Sequence, residues 1–388
     1  MRIGIEAQRI FRKNKHGMDY VVLEEIRRLQ QTDGENEYFI FVKPGEDRCL
    51  DETANCHIVE LKCPSYPLWE QWALPRAVHK YRLDLLHCTA NTAPLWLHTP
   101  LVLTLHDIIF LEKRDTGNRS IYQNLGWWYR RLVVPRIVNK CVRIITVSDF
   151  ERNNIIRRLN LQPDKVCMIY NGYNEWFKPQ TPPDNTLGKY ADESGFFFFF
   201  GNTDPKKNTE RTIQAYAHYL KRSERKRKLL IADLSCRYLE RILKDYGLED
   251  IRPFILTADY IDNADLPQIY SQAFAFLYTS LRESFGIPLL EAMACGTPVI
   301  TSNTSSMPEI GGNGAAMVDP TDVKAMGDMM IRLETDTDLR RRLRLWGLER
   351  ARQFSWATTA RQLLQLYVSV GKEVKRQIDT ASWNRTVL

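Results

Sequence analysis

Residues 283–300 read Glu-Ser-Phe-Gly-Ile-Pro-Leu-Leu-Glu-Ala-Met-Ala-Cys-Gly-Thr-Pro-Val-Ile, which sets two carboxylates, Glu283 and Glu291, around the start of a short helix. Gly286 frees the backbone to approach a ligand closely, Pro288 suits a first helical turn, and Leu289 to Ala294 are good helix formers stopped by Gly296. A helix N-terminus leaves N–H groups unpaired and carries about half a positive charge, so it binds phosphate without a cationic side chain. Carboxylates beside such a site suit hydroxyls, because an ionised carboxylate only accepts hydrogen bonds. A nucleoside diphosphate sugar offers hydroxyls at both ends of its diphosphate, on the sugar and on the ribose. The bland alternative, two solvated glutamates eight residues apart, is the ordinary fate of a bare E-x7-E pattern.

The whole stretch, from Glu283 through Gly296-Thr297-Pro298, resembles the E-x7-E signature of the retaining glycosyltransferases of family 4, which have the GT-B fold. That resemblance implies an α/β protein with two Rossmann-like parallel-sheet domains facing across a cleft. It gives Glu283 the donor-sugar hydroxyls, Glu291 the ribose hydroxyls, and the backbone from Ser284 and Phe285 through Gly286, Ile287, Pro288 and Leu289 the diphosphate. Residues 201–208, Gly-Asn-Thr-Asp-Pro-Lys-Lys-Asn, look like the family's strand-to-helix loop, in which Lys207 grips the diphosphate. Many members carry Arg after Gly201; here it is Asn202, which leaves Lys207, the helix N-terminus and Lys206 to neutralise the phosphates. Residues 256–270 are similar to the segment that positions the nucleobase, with Tyr260 and Ile261 as the candidates. In the first half, Gly17 stands in the loop expected to face the diphosphate and acceptor, although a lone Gly after a strand more often marks a plain turn. His106, in a strand-then-His-Asp pattern at Leu101 to Glu112, inherits a place beside the donor sugar. The resemblance implies retention of anomeric configuration by same-face attack, in which the departing phosphate takes the acceptor proton, and domain closure that would exclude water.

The elements that must position these residues are apolar runs alternating with helical patterns, at Met1 to Ala7, Leu101 to Phe110, Val142 to Val147, Phe196 to Phe200, Lys228 to Ala232 and Ala273 to Tyr278. Such alternation argues for parallel sheets whose ligands sit at the carboxyl ends of the strands. Ile144 to Ser148 and Ile169 to Gly172 match the last two strands of the family's first domain. At 388 residues the chain is too long for one ordinary core. The expected division is residues 1–180, 181–360, and a terminal helix 361–388 packing back towards the first domain, with Lys178 to Glu193 as hinge linker.

No run reaches the length of a membrane span and no signal-peptide pattern opens the chain, so a cytoplasmic location is expected. Eight Cys without a C-x-x-C pair fit a reducing compartment, and neither a zinc site nor any other metal is expected. The formal charge of +7 is clustered. Lys221 to Lys228 reads as a solvated helix end. Arg119 to Arg143 mixes Tyr122, Trp127, Trp128 and Tyr129 with Arg130, Arg131, Arg136, Lys140 and Arg143, which suits a lipid headgroup interface carrying a lipid-linked acceptor. Tyr66 to Trp72 is a neighbouring candidate. The basic patches lie outside any nucleic-acid module, so no nucleic-acid partner is expected. Through the resemblance, the donor is first GDP-mannose and next a UDP-hexose, the acceptor a glycan or lipid-linked chain. A sugar-nucleotide epimerase, a phosphorylase, or a silent sugar-nucleotide-binding partner of another transferase stay open.

Overall fold

Five phenylalanines in a row can be buried only where both faces of a strand are covered. A computed structural model, which describes residues 1–13, 15–112, 121–180 and 186–386, shows this arrangement. Phe197 and Phe199 enter the core formed with Tyr216 and Tyr219 of helix Thr209–Leu220. On the other face Phe198 packs against Tyr270, ring centroids 5.4 Å apart, and Phe276, at 5.5 Å.

The chain divides into two compact units, Met1–Asn171 with Trp356–Leu388, and Gly172–Ser355. The first holds β1 (Arg2–Glu6), β2 (Glu37–Val42), β3 (Cys56–Glu60), β4 (Leu85–Cys88), β5 (Leu101–Thr104), β6 (Arg143–Thr146) and β7 (Val166–Met168). These form one parallel sheet ordered β3-β2-β1-β4-β5-β6-β7. The second holds β8 (Phe197–Phe200), β9 (Leu229–Ala232), β10 (Ile255–Ala258), β11 (Ala275–Tyr278), β12 (Val299–Ser302) and β13 (Ala315–Val318), ordered β10-β9-β8-β11-β12-β13 and again parallel. Both sheets are therefore doubly wound, and in each the strand order reverses beside the first strand, between β1 and β4 and between β8 and β11. A crevice opens at the carboxyl ends of strands at such a reversal.

Helix Gly17–Thr32 buries Val22, Ile26 and Leu29 on one stripe against the first sheet. The terminal helix, Trp356–Thr386, adds Ala360, Leu363, Tyr367 and Val370 to that same core, spaced as one helical face. Several runs read as strands are shorter in the structure. Leu101 to Phe110 pairs only through Thr104, because the chain then leaves the sheet and turns into a 3-10 segment at Ile109–Leu111. The last strand of the first sheet is Val166–Met168, so the Ile169 to Gly172 match lies just past it. The basic run from Lys221 begins at the cap of helix Thr209–Leu220 and continues as the connection to β9. Of the expected linker, residues 181–185 lie outside the described residues, as do Arg119 and the side chain of Tyr122.

Candidate active site

In the second unit, β8 and β11 end side by side at the point of strand reversal, and the two loops that follow carry the motif residues. After β8 the backbone runs close over β9. A Cβ on Gly201 would stand 2.7 Å from Cβ of Leu234 and 2.8 Å from Cγ2 of Ile231, so only glycine fits. Asn202 is exposed, and its side-chain oxygen accepts from the Asp204 N–H at 2.8 Å while its own N–H donates to Thr209 Oγ1 at 3.0 Å. Asp204 then accepts from the N–H of Lys206, capping the 3-10 turn Pro205–Lys207. Lys206 itself faces Asp204 at 3.6 Å. Asn202 thus shapes the turn that displays Lys207.

The next residue, Asn208, has φ 60°, a left-handed conformation that Asn tolerates better than most. Its buried amide donates to the carbonyls of Thr279 at 3.0 Å and Pro320 at 2.7 Å, binding the β8 loop to the end of β11. The Leu281 N–H donates to the Lys206 carbonyl at 2.7 Å and completes the lacing. Lys207 Nζ consequently meets Glu283 Oε1 at 2.6 Å, the lysine somewhat open to solvent and the glutamate largely covered. Glu283 is fixed in turn. Its N–H donates to Ser305 Oγ at 3.0 Å, and its carbonyl accepts from Ser306 Oγ at 2.9 Å.

Three residues on, Gly286 caps helix Ile287–Ala294 with φ 114°. A side chain there would also collide with Met307, whose Cε is 2.7 Å from the Cβ position. Pro288 has no N–H, and Leu289 spends its own on the Gly286 carbonyl at 3.1 Å. The helix start therefore offers an anion chiefly the N–H groups of Gly286 and Ile287. Phe285 and Leu289 are buried, Phe285 packing edge-on against Phe354 at 5.9 Å, and act through their backbone. Ser284 is half-buried in the same loop. Glu291, one helical turn below, lies beside Tyr270; burial pushes its carboxyl up to about 8, against a smaller opposing effect of the Tyr270 hydroxyl. After β10, Tyr260 is exposed and suits stacking on a base, whereas Ile261 points into the core.

In the first unit, His106 follows β5 and lies beside the strand reversal between β1 and β4. It is buried, its N–H bonded to Asn91 Oδ1 at 2.7 Å and its Nε2 placed 2.9 Å from the Thr89 carbonyl. A carbonyl can only accept, so Nε2 carries the proton. Burial holds the imidazole below its ordinary pKa, partly opposed by the Thr89 carbonyl and Asp107, so at neutral pH Nδ1 is a bare acceptor. Thr89 is itself pinned by Glu6, donating Oγ1–H to the Glu6 carbonyl at 2.6 Å. Gly17 opens helix Gly17–Thr32, where a side chain would meet nothing within 4 Å. The preceding His16 and Asp19 form a capping box, with Arg12 2.8 Å and Arg9 3.2 Å from the Asp19 carboxylate.

The structure thus gathers Gly201, Asn202, Lys206, Lys207, Glu283, Ser284, Gly286 and Ile287 at one strand reversal, with Glu291 just behind. Gly17 and His106 belong to the other unit. Residue-by-residue reading placed Asn208, Ser305 and Ser306 within matching stretches but gave them no role; the structure shows that they hold the loops. Asn directly before a helix is a recognisable cap signal, but its bonds to residues 71 and 112 positions away are not visible in a linear pattern.

Two doubly wound parallel-sheet units, with a lysine and two glutamates around a glycine-capped helix in the second, define the GT-B class of glycosyltransferase architecture. The profile described as "Glycosyl transferases group 1" matches residues 188–347, and that described as "Glycosyltransferase Family 4" matches residues 16–176. The chain belongs to glycosyltransferase family 4. It is 33% identical over 228 residues to O-antigen chain mannosyltransferase B of Escherichia coli, a match covering 58% of this chain and 60% of that one. It is 30% identical over 272 residues to the serotype-specific mannosyltransferase WbdA of Escherichia coli, covering 67% of this chain and 32% of that one. The chain therefore spans less than two thirds of the length of either relative. Among solved structures, Anabaena Alr3699/HepE in complex with UDP-glucose has the same fold, with a TM-score of 0.70 at 17% identity over 95% of this chain and 100% of that one.

Proposed function

We propose that the protein transfers a hexose, mannose first, from a nucleoside diphosphate sugar to a glycan or lipid-linked acceptor in surface-polysaccharide assembly, with retention at the anomeric carbon. The observation that carries this reading is the Lys207–Glu283 pair at 2.6 Å beside the Gly286 helix cap. The leaving nucleotide departs with negative charge on its β-phosphate, so a fixed cation and N–H groups aimed there stabilise the transition state more than the ground state. When the donor binds, Lys207 exchanges its carboxylate partner for phosphate oxygens. Glu283 is then released to accept from sugar hydroxyls, Glu291 accepts from the ribose, and Tyr260 covers the base. His106 is assigned a sugar hydroxyl, and the departing phosphate takes the acceptor proton. This scheme asks for no metal ion. Support for mannose comes from the two mannosyltransferase relatives, and GDP-mannose is accordingly the first donor, UDP-hexoses the next. The protein works at the inner face of a membrane through peripheral contact in the 119–143 region.

The test is incubation with GDP-mannose and, separately, UDP-hexoses in the presence of lipid-linked saccharides, reading the linkage formed by NMR. An α-linked product from an α-linked donor, with turnover reduced about a hundredfold in Lys207→Ala, is expected. Epimerised free sugar with no glycosylated product would move the assignment to a sugar-nucleotide epimerase. Binding without any turnover would leave a silent partner protein.

A further inference from the structure

Glu70 is fully buried, yet it is the only carboxylate in the segment Tyr66 to Lys80. Burying a charge is costly unless hydrogen bonds surround it, and here they come from three separate pieces of chain. Tyr66 Oη donates to it at 2.7 Å from its own segment, Thr92 Oγ1 donates from the loop after β4, and Tyr129 Oη donates from helix Ile121–Ile137. Gln71 extends the tie, donating to the Ala93 carbonyl at 3.2 Å and accepting from the Leu95 N–H at 2.8 Å. Lys140 Nζ donates to the Leu95 carbonyl at 2.6 Å. Three segments are thereby locked into one platform.

What this platform shows to solvent is unusual. Leu125, Trp128 and Leu132, spaced as one stripe of the helix, are 64%, 63% and 53% exposed, a second apolar stripe beside the one that buries Val133, Val134 and Ile137. Leu68, Trp72 and Trp96, on the other two segments, are 51%, 54% and 76% exposed. The Lys and Arg residues of these segments are Arg76, whose guanidinium lies 3.5 Å over the Trp72 ring, Lys80, Arg130, Arg131, which lies 4.5 Å over the Trp127 ring, Arg136 and Lys140. Across residues 66–80, 91–98 and 124–140 no carboxylate other than the buried Glu70 occurs.

We propose that these three segments form a docking surface for an anionic lipid bilayer, with the indoles seated at headgroup depth and the guanidinium and ammonium groups on lipid phosphates. Indole suits that boundary because its body is apolar and its N–H is polar, and each basic residue near an anionic surface adds attraction that salt weakens. The absence of any exposed carboxylate from the three segments removes the repulsion such a surface would meet. The inference deepens the proposed function by naming the partner that presents the acceptor, and it rests on that reading for this role alone.

Flotation of the full chain with vesicles needs neither donor nor acceptor, so its failure is separable from failure of the transferase assignment. The protein is expected to float with equimolar phosphatidylcholine–phosphatidylglycerol vesicles and far less with phosphatidylcholine alone. Trp72→Ala with Trp128→Ala lowers the bound fraction tenfold or more (roughly, from the apolar area withdrawn from water). Arg130→Ala and Arg136→Ala lower partitioning about fivefold each, an effect that high salt abolishes. Unchanged melting temperatures establish that the variants fold. Equal flotation with and without phosphatidylglycerol, or full flotation of the double Trp variant, would overturn the proposal. So would a concentration-dependent dimer that the same substitutions dissolve while vesicles leave it intact.

Discussion

His106 and Glu291 each sit where burial has chosen a protonation state that the ligand must use or change. With its proton on Nε2 and given to the Thr89 carbonyl, His106 keeps Nδ1 as an acceptor, which the proposed scheme gives to a sugar hydroxyl. An Asn side chain reaches the Nδ1 position and a Gln the Nε2 position. His106→Asn should therefore keep about fivefold or more of the turnover that His106→Gln loses, measured as kcat at saturating donor. Gln equal to or better than Asn would reverse the tautomer. Glu291 is held at about 8 by burial, so it is mostly protonated in the free protein at neutral pH. Ribose hydroxyls bind best to an ionised carboxylate, so nucleotide affinity should rise as pH climbs towards about 8, with proton release seen as buffer-dependent heats in calorimetry. A flat profile in Glu291→Gln and a rising one in the parent protein is the expected contrast. The two glutamates and Lys207 are legible in the sequence as types at a spacing. Their pairing is not, because Lys207 and Glu283 stand 76 positions apart and meet only after the intervening sheet and helix have folded.

The elements around the site act as lacing. Asn208 terminates one loop in a left-handed conformation and spends both amide protons on carbonyls of two other segments. Asn208→Ala strands those carbonyls and should cost about 2–4 kcal/mol in urea unfolding. It should also lower kcat more than it raises KM, since Lys207 loses its mooring while the Gly286 cap remains. A variant with parental stability would show that the loop is held by other bonds. Apolar runs announced β1, β6, β8, β9 and β11 within a residue or two, because a parallel strand covered on both faces must be apolar throughout, whereas the equally central β2, β4 and β12 were not picked out. The β5 run misled by length, since its tail is buried without being a strand: Leu105, Ile108 and Phe110 enter the core from a loop and a 3-10 turn. Burial and strand pairing write the same composition there.

Over the whole molecule, three buried carboxyls share one pH signature. Desolvation raises Glu6 to about 7 and both Glu25 and Glu291 to about 8, from an ordinary value of 4.5. Between those values the folded chain holds protons that the unfolded chain has released, so stability is greatest below about pH 4.5 for these groups and falls as pH rises towards 8. Urea midpoints should decline across that window, and Glu25→Gln, remote from both strand reversals' loops, should flatten part of the decline. A midpoint that rises with pH would show that these carboxyls are ionised in the folded state. Two-unit architecture was legible from length and from the alternation of strand and helix patterns. The exact partition was not, since the chain enters the second unit at Gly172 and returns to the first at Trp356, and no composition shift marks either crossing. Among the described residues no helix is long and apolar enough to cross a membrane. The central claim is that Lys207 and the Gly286 helix cap bind the diphosphate of a sugar nucleotide. Calorimetric titration of GDP and UDP into the parent protein and Lys207→Ala tests it most directly. The account predicts selective binding of one nucleotide, weakened tenfold or more in the variant (roughly the loss of one charge-assisted contact); no binding of either, or equal binding by both proteins, would contradict it.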